Sequence, residues 1–299
     1  MDAVRASVRL ELLAARRTRT VHVLLLVFLG MVVISSVIGY VTNQTVTNVY
    51  REISAEGLTT APHPFDHVSP LFYARNSTIY VTLIGALLAI VLGAQATLRD
   101  RKADTMGIVV SRPHSVRARL CGQLTGLAIV LGTVLGLSGF LTWGIISVIT
   151  RAPLGIDNTA RLIGFWTLSW VLLLTFVLLG MLAGLRSRRE ATAFLVPFVV
   201  WSVVAFVVPQ IGTAARPVSL LNSVPAVATP GAGFDMAAMI TRPLSVTEQF
   251  KQVAGQFLLD TSVSGDPFTA VVIILLTFAV LLLGVLATPR SVFLRGLHA

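Results

Sequence analysis

Apolar and polar positions fall into blocks along this chain. Six stretches, about residues 20–41, 77–98, 119–149, 161–185, 191–212 and 268–288, are almost continuously apolar, and the polar side chains within them are mostly Ser and Thr. Each approaches or exceeds the roughly 20 residues of helix that cross a hydrocarbon core of about 30 Å. Each is expected to be helical, because an isolated span in lipid must satisfy its own backbone hydrogen bonds. The predicted fold is an all-α polytopic membrane protein, with six transmembrane helices in one domain over residues 1–299. Two longer polar segments, 42–76 and 213–267, are expected as loops on one side, and a shorter connection, 99–118, on the other.

Three shorter patterns lie outside the spans. The first 17 residues, "MDAVRASVRLELLAARR", have helical propensity and place Arg5, Arg9 and Arg16 in one stripe on a helical wheel, while Glu11 and Ser7 interrupt the apolar face. The segment 1–19 reads as an amphipathic helix on the membrane surface with its arginines on lipid phosphates, or as an extension of the first span. Ser245 and Glu248 form a capping-box pattern before Val246, Phe250, Val253 and Phe257, so a helix is expected over about 246–259. It either packs on the ends of the spans or docks a partner. The stretch "PVSLLNSVPAVATPGAGF" before it has the Pro and Gly density of a loop.

Composition agrees with the span pattern. The chain is 55% hydrophobic and 12% charged, with a mean hydropathy of +0.84; soluble domains carry roughly 25% charged residues. The net charge of +10 does not make a nucleic-acid surface, because the basic residues lie in short runs between apolar stretches. It reads as topology instead. Sixteen of the 23 basic residues lie in or beside the two terminal segments and the 99–118 and 186–190 connections. The positive-inside rule therefore puts both termini in the cytoplasm. The single cysteine, Cys121, excludes an internal disulfide. The first apolar run is of span length and lacks a small-x-small cleavage site, so a signal peptide is not expected.

Candidate chemistry is sparse. No charge lies deep in the six apolar stretches, which argues against a proton-coupled pump. His63, Asp66 and His67 have metal-capable side chains, but the spacing matches no strong ligand pattern and an ordinary turn is expected. Neither Lys102 nor Lys251 follows a glycine, so a P-loop is absent and ATP energy has to come from another subunit. No cofactor is expected in this chain. Gly122 with Gly126, Gly132 with Gly136, and Gly180 with Gly184 set small residues four apart, as helices that pack closely in membranes do. Pro197 and Pro209 interrupt the fifth span; each removes one backbone hydrogen bond and either kinks the helix, as a moving gate would use, or is accommodated statically in the bundle.

The 99–118 connection carries the most specific pattern. After Arg99, Asp100, Arg101 and Lys102, the run "ADTMGIVVSRP" offers about two helical turns bearing Met106, Ile108, Val109 and Val110, and Pro113 then breaks the chain before the next helix. Four apolar side chains in so short a charged segment need a covering surface, either headgroups or a cytosolic protein. Asp104-Thr105, the apolar run, Ser111-Arg112-Pro113, Ser115-Val116-Arg117 and Gly122-Gln123-Leu124 together resemble the corresponding stretch of type-2 ABC transporter permeases. The whole plan is similar to the single-domain, six-span branch of that family, which includes the nitrous-oxide-reductase maturation permease.

The resemblance implies a permease subunit in a bacterial cytoplasmic membrane, acting with a second permease copy as a homodimer or with a homologous permease, and driven by a separate cytosolic ABC ATPase subunit that binds ATP and Mg. It implies that Asp104, Thr105, Met106, Ile108, Val109 and Val110 dock to the ATPase, with Arg112 and Pro113 turning the chain into the third span. Arg186, Arg188, Arg189 and Glu190 form the second natural contact with the ATPase, or a plain positive-inside anchor. The expected function is ATP-driven export of a hydrophobic or amphipathic substrate. Two alternatives stand beside it: transmission of motion to an extracytoplasmic partner, and an integral membrane enzyme using His63, Asp66 and His67.

Overall fold

The computed structural model describes residues 2–59, 69–100, 115–211, 224, 231–260, 263 and 265–289. All regular structure among them is helical. In chain order the helices are α1 (Asp2–Arg17) and α2 (Arg19–Ala55), then α3 (Pro70–Asp100), α4 (Val116–Thr150), α5 (Ile156–Arg186) and α6 (Glu190–Gln210). They are followed by α7 (Ala232–Thr241), α8 (Val246–Phe257) and α9 (Pro267–Leu286). Six of these, α2 to α6 and α9, are long and apolar enough to cross a membrane. The segment "PVSLLNSVPAVATPGAGF" lies largely outside the described residues.

Helix limits depart from the hydropathy pattern where local chemistry sets them. The segment 42–76, expected as a loop, stays helical through Ala55, because Thr42 to Ala55 contains neither Gly nor Pro. It stops at Gly57, whose φ of 72° only glycine adopts without strain. The Leu58 N–H then bonds the Ile53 carbonyl and the Gly57 N–H that of Ser54, the paired bonds of a Schellman cap. Extended backbone at Thr18 separates α1 from α2, so the N-terminal helix is its own element and does not extend the first span.

The bundle is built around α3 and α5, whose spanning windows are 67% and 78% buried, against 22%, 22% and 17% for α2, α6 and α9. Glycines explain the intimacy of the central pair. A Cβ at Gly93 would stand 2.1 Å from the Val177 carbonyl oxygen, one at Gly180 2.3 Å from that of Ile90, and one at Gly184 2.1 Å from Thr97 Oγ1. Backbone meets backbone there, as small-residue spacing in membranes permits. The Gly132–Gly136 pair behaves otherwise. Gly132 and Gly139 face the Trp170 and Trp166 indoles, and Gly136 has no neighbour within 4 Å, so the expected close helix approach is replaced by a groove.

Helix α6 accommodates its first proline within the α-helix. The α-helix runs through Pro197 to Ser202, and the geometry changes only at Val203–Val207, a π-helical turn, followed by a 3₁₀ turn at Val208–Gln210 that contains Pro209. A second π turn, Val81–Gly85, lies in α3. Widened turns loosen carbonyls from the α ladder. Side chains take them up here: Trp201 Nε1 donates to the Thr82 carbonyl at 3.1 Å and Ser245 Oγ to that of Val204 at 2.9 Å. These bonds fasten α6 to α3 and the start of α8 to α6. Helix α8 packs against α5, α9 and the π turn of α6. Its Phe250 and Lys251 are fully buried, and Lys251 Nζ donates to Glu248 Oε1 at 2.7 Å. Of the two readings of this helix, packing on the ends of the spans is the one observed.

Candidate functional site

The connection singled out by sequence lies between Asp100 and Ser115, and the described residues on both sides of it are held in place. Ser115 is the N-cap of α4, its hydroxyl accepting from the Ala118 N–H. Arg119, in the first turn of α4, grips Asp100 at the end of α3 with a two-pronged guanidinium–carboxylate pair. Gln123, one turn further, donates from Nε2 to Asp100 Oδ2 at 2.7 Å and to the Ala96 carbonyl at 3.1 Å. Asp100 and Gln123 are buried, so their polar atoms depend on these partners. The residue before Asp100, Arg99, pairs with Glu11 of α1.

Helix α1 reaches Arg99 because α4 offers it a seat. Ser7 and Glu11 are one turn apart, as are Gly122 and Gly126. Ser7 Cβ stands 2.5 Å from where a Gly122 Cβ would be, and Glu11 Cβ 2.6 Å from that of Gly126. Two side chains of one helix thus lodge over two glycines of another. Burial raises the Glu11 carboxyl above its ordinary value, and the Arg99 guanidinium opposes the rise. Two ion pairs and a glutamine therefore tie α1, the end of α3 and the start of α4 into one joint around the 101–114 connection.

The predicted residues divide as follows. Asp104, Thr105, Met106, Ile108, Val109, Val110, Arg112 and Pro113 lie outside the described residues, as do His63, Asp66 and His67. Arg5, Arg9 and Arg16 are exposed on α1, away from the Ser7–Glu11 face. Arg186 ends α5, Arg188 and Arg189 lie in the turn and Glu190 opens α6, all four exposed. Sequence reasoning missed Glu11, Asp100, Arg119 and Gln123. Ser7 and Glu11 looked like flaws in an apolar face, yet their four-residue spacing matches that of Gly122 and Gly126.

The sequence matches the family described as ABC-2 family transporter protein over residues 5–295. The chain belongs to that family. It is a membrane subunit of an ABC transporter, the subunit that does not itself serve as the ATPase, and the family works with an ATPase partner. Among curated proteins no relative matches it.

Within this permease the joint has a clear chemical character. It fixes where the 101–114 connection starts and ends. Separately, a groove of about 690 Å³ opens between α4 and α5, floored at Gly136 and walled by Phe140, Trp143, Trp166 and Trp170. Trp170 Nε1 is satisfied by the Ala128 carbonyl at 2.9 Å. Its size and apolar lining fall within the range of small-molecule sites.

Proposed function

We propose that the permease receives its ATPase at the 101–114 connection and passes the motion of that connection to α1, α3 and α4 through the Glu11–Arg99 and Asp100–Arg119–Gln123 joint. The single observation that carries this reading is the joint itself: Asp100, just before the 101–114 segment, is ion-paired with Arg119, just after it, and Arg99 is ion-paired with Glu11 of α1. Asp104 to Val110 form the docking element, and Arg112 and Pro113 turn the chain into α4. The arginine distribution supports a cytoplasmic position for this end of the bundle and for both termini. ATP and Mg bind the partner subunit. The complex contains a second copy of the permease and lies in a bacterial cytoplasmic membrane.

The transported class follows from what the spans lack. No ionised side chain lies at mid-depth, and the α4–α5 groove is apolar, which supports a hydrophobic or amphipathic substrate over an ion. Export is the direction proposed. The test is extraction from native membranes in mild detergent, comparing wild type with the double variant Ile108→Asp/Val109→Asp. A nucleotide-binding subunit that accompanies the wild type and is lost from a monodisperse variant supports the reading. Retention of that subunit by the variant would move the docking point elsewhere.

A further inference from the structure

A second cavity, of about 600 Å³, lies between α5 and α6 where the 187–189 turn joins them. Arg186, Arg188 and Arg189 line it together with Leu179, Leu182 and Val196. The polar and apolar linings are separated along the helices. Leu179 lies seven residues before Arg186, and Val196 seven after Arg189, so by helical rise each lies about 10 Å deeper than the arginine ending its helix. The cavity is a slot with a cationic mouth and an apolar interior, set between two membrane-spanning helices.

Its arginines differ from the others at this end of the bundle. Arg99 and Arg119 have carboxylate partners. Among the described residues, Arg186, Arg188 and Arg189 form no ion pair. The neighbouring acid, Glu190, is exposed and outside the cavity lining. The mouth also includes the first turn of α6, where Arg189 is the N-cap and supplies no side-chain cap. Those N–H groups carry the positive end of the helix dipole and add to the field of the guanidiniums. Arg186 lies at the C-terminal end of the α5 dipole, which favours a cation there, whereas Arg188 and Arg189 lie beyond that helix.

We propose that this cavity binds one anionic phospholipid, with its phosphate among Arg186, Arg188 and Arg189 and an acyl chain along Leu179, Leu182 and Val196. A phosphodiester matches guanidinium geometry, and basic pockets between spanning helices are recognised sites for such headgroups. An acidic surface of a protein would satisfy the arginines but leave the apolar interior unfilled. The inference rests on the spanning arrangement of α5 and α6.

The test uses the full chain, delipidated in detergent, with bound lipid read by native mass spectrometry and thermal stability read in parallel. The probes are phosphatidylglycerol, phosphatidylcholine and inorganic phosphate. Phosphatidylglycerol is expected to bind and raise the melting temperature, with neither of the others doing so. The triple variant Arg186→Gln/Arg188→Gln/Arg189→Gln is expected to weaken binding at least about tenfold. Arg5→Gln/Arg9→Gln/Arg16→Gln removes equal charge from the same end and is expected to retain the tight binding. Val196→Trp, which fills the interior without changing charge, is expected to lose it. Equal loss in both triple variants would reduce the effect to surface charge. A shift with inorganic phosphate alone would make the site one for free anions. A cavity triple that keeps its lipid and sheds a co-purifying ATPase would assign the arginines to a protein contact. Any of these three outcomes overturns the proposal.

Discussion

Two seams hold this bundle together, and they use glycine in different ways. Between α3 and α5, Gly93, Gly180 and Gly184 let two backbones touch, and the seam is buried and apolar. Between α1 and α4, Gly122 and Gly126 instead make room for the side chains of Ser7 and Glu11, and ion pairs flank the contact. The first seam has no slack, since a carbonyl lies where a Cβ at Gly93 or Gly180 would go and the Thr97 hydroxyl where one at Gly184 would. The second is flanked by ion pairs, and it borders the connection proposed to receive force. A rigid spine and a charged joint are thus built from one motif, and what faces the glycine decides which results.

The sharpest way to break this contrast is at the joint. Asp100→Ala leaves Arg119 and Gln123 without their shared acceptor; removing one partner of a buried pair costs about 3–5 kcal/mol. Thermal unfolding in detergent is expected to fall well below wild type. Next comes the spine, where Gly93→Ala drives a methyl into the Val177 carbonyl and is expected to cost about 1–3 kcal/mol or more. A Gly93→Ala protein that melts like the wild type would refute backbone contact at this seam. Gly126→Ala is expected to lift α1 while sparing the spine. Trypsin should then cleave at Arg9 and Arg16 faster, with the melting transition of the bundle nearly unchanged.

Smaller effects sharpen the picture. Because burial raises the Glu11 carboxyl, the folded chain holds more protons than the unfolded one between the ordinary carboxylate value and the raised one. The contribution of Glu11 is therefore full below that window and declines as pH rises through it. Docking of α1, followed by the same proteolysis, should weaken over that interval in the wild type and lose that dependence in Glu11→Gln. Least of all is Gly136→Ala. Nothing lies within 4 Å of the added methyl, and the gain in helix propensity over glycine, up to about 1 kcal/mol, leaves stability equal or slightly higher.

The six spans were legible because hydropathy over 20 residues is a one-dimensional signal, and lipid forces helix wherever it appears. The capping box at Ser245 was equally local, and the helix it announces is present. Pairing between distant helices was not legible. Asp100 and Arg119 look like ordinary interfacial charges until α3 and α4 lie side by side. Gly132 and Gly136 carry the same spacing as Gly180 and Gly184, yet Trp166 and Trp170, some 30 residues away, keep the backbones apart. The π turn at Val203–Val207 likewise has no signature in the sequence near Pro197, since its carbonyl is claimed by Ser245 from another helix.

The central claim is that the joint couples the docked ATPase to the spans and is distinct from the docking surface itself. It is tested by placing the permease with its co-purified ATPase in nanodiscs and measuring ATP hydrolysis for wild type and for Asp100→Asn/Arg119→Gln. The variant is expected still to bind the ATPase, while its turnover falls to that of the isolated ATPase subunit. A folded, ATPase-bound variant that hydrolyses ATP at the wild-type complex's rate would contradict it.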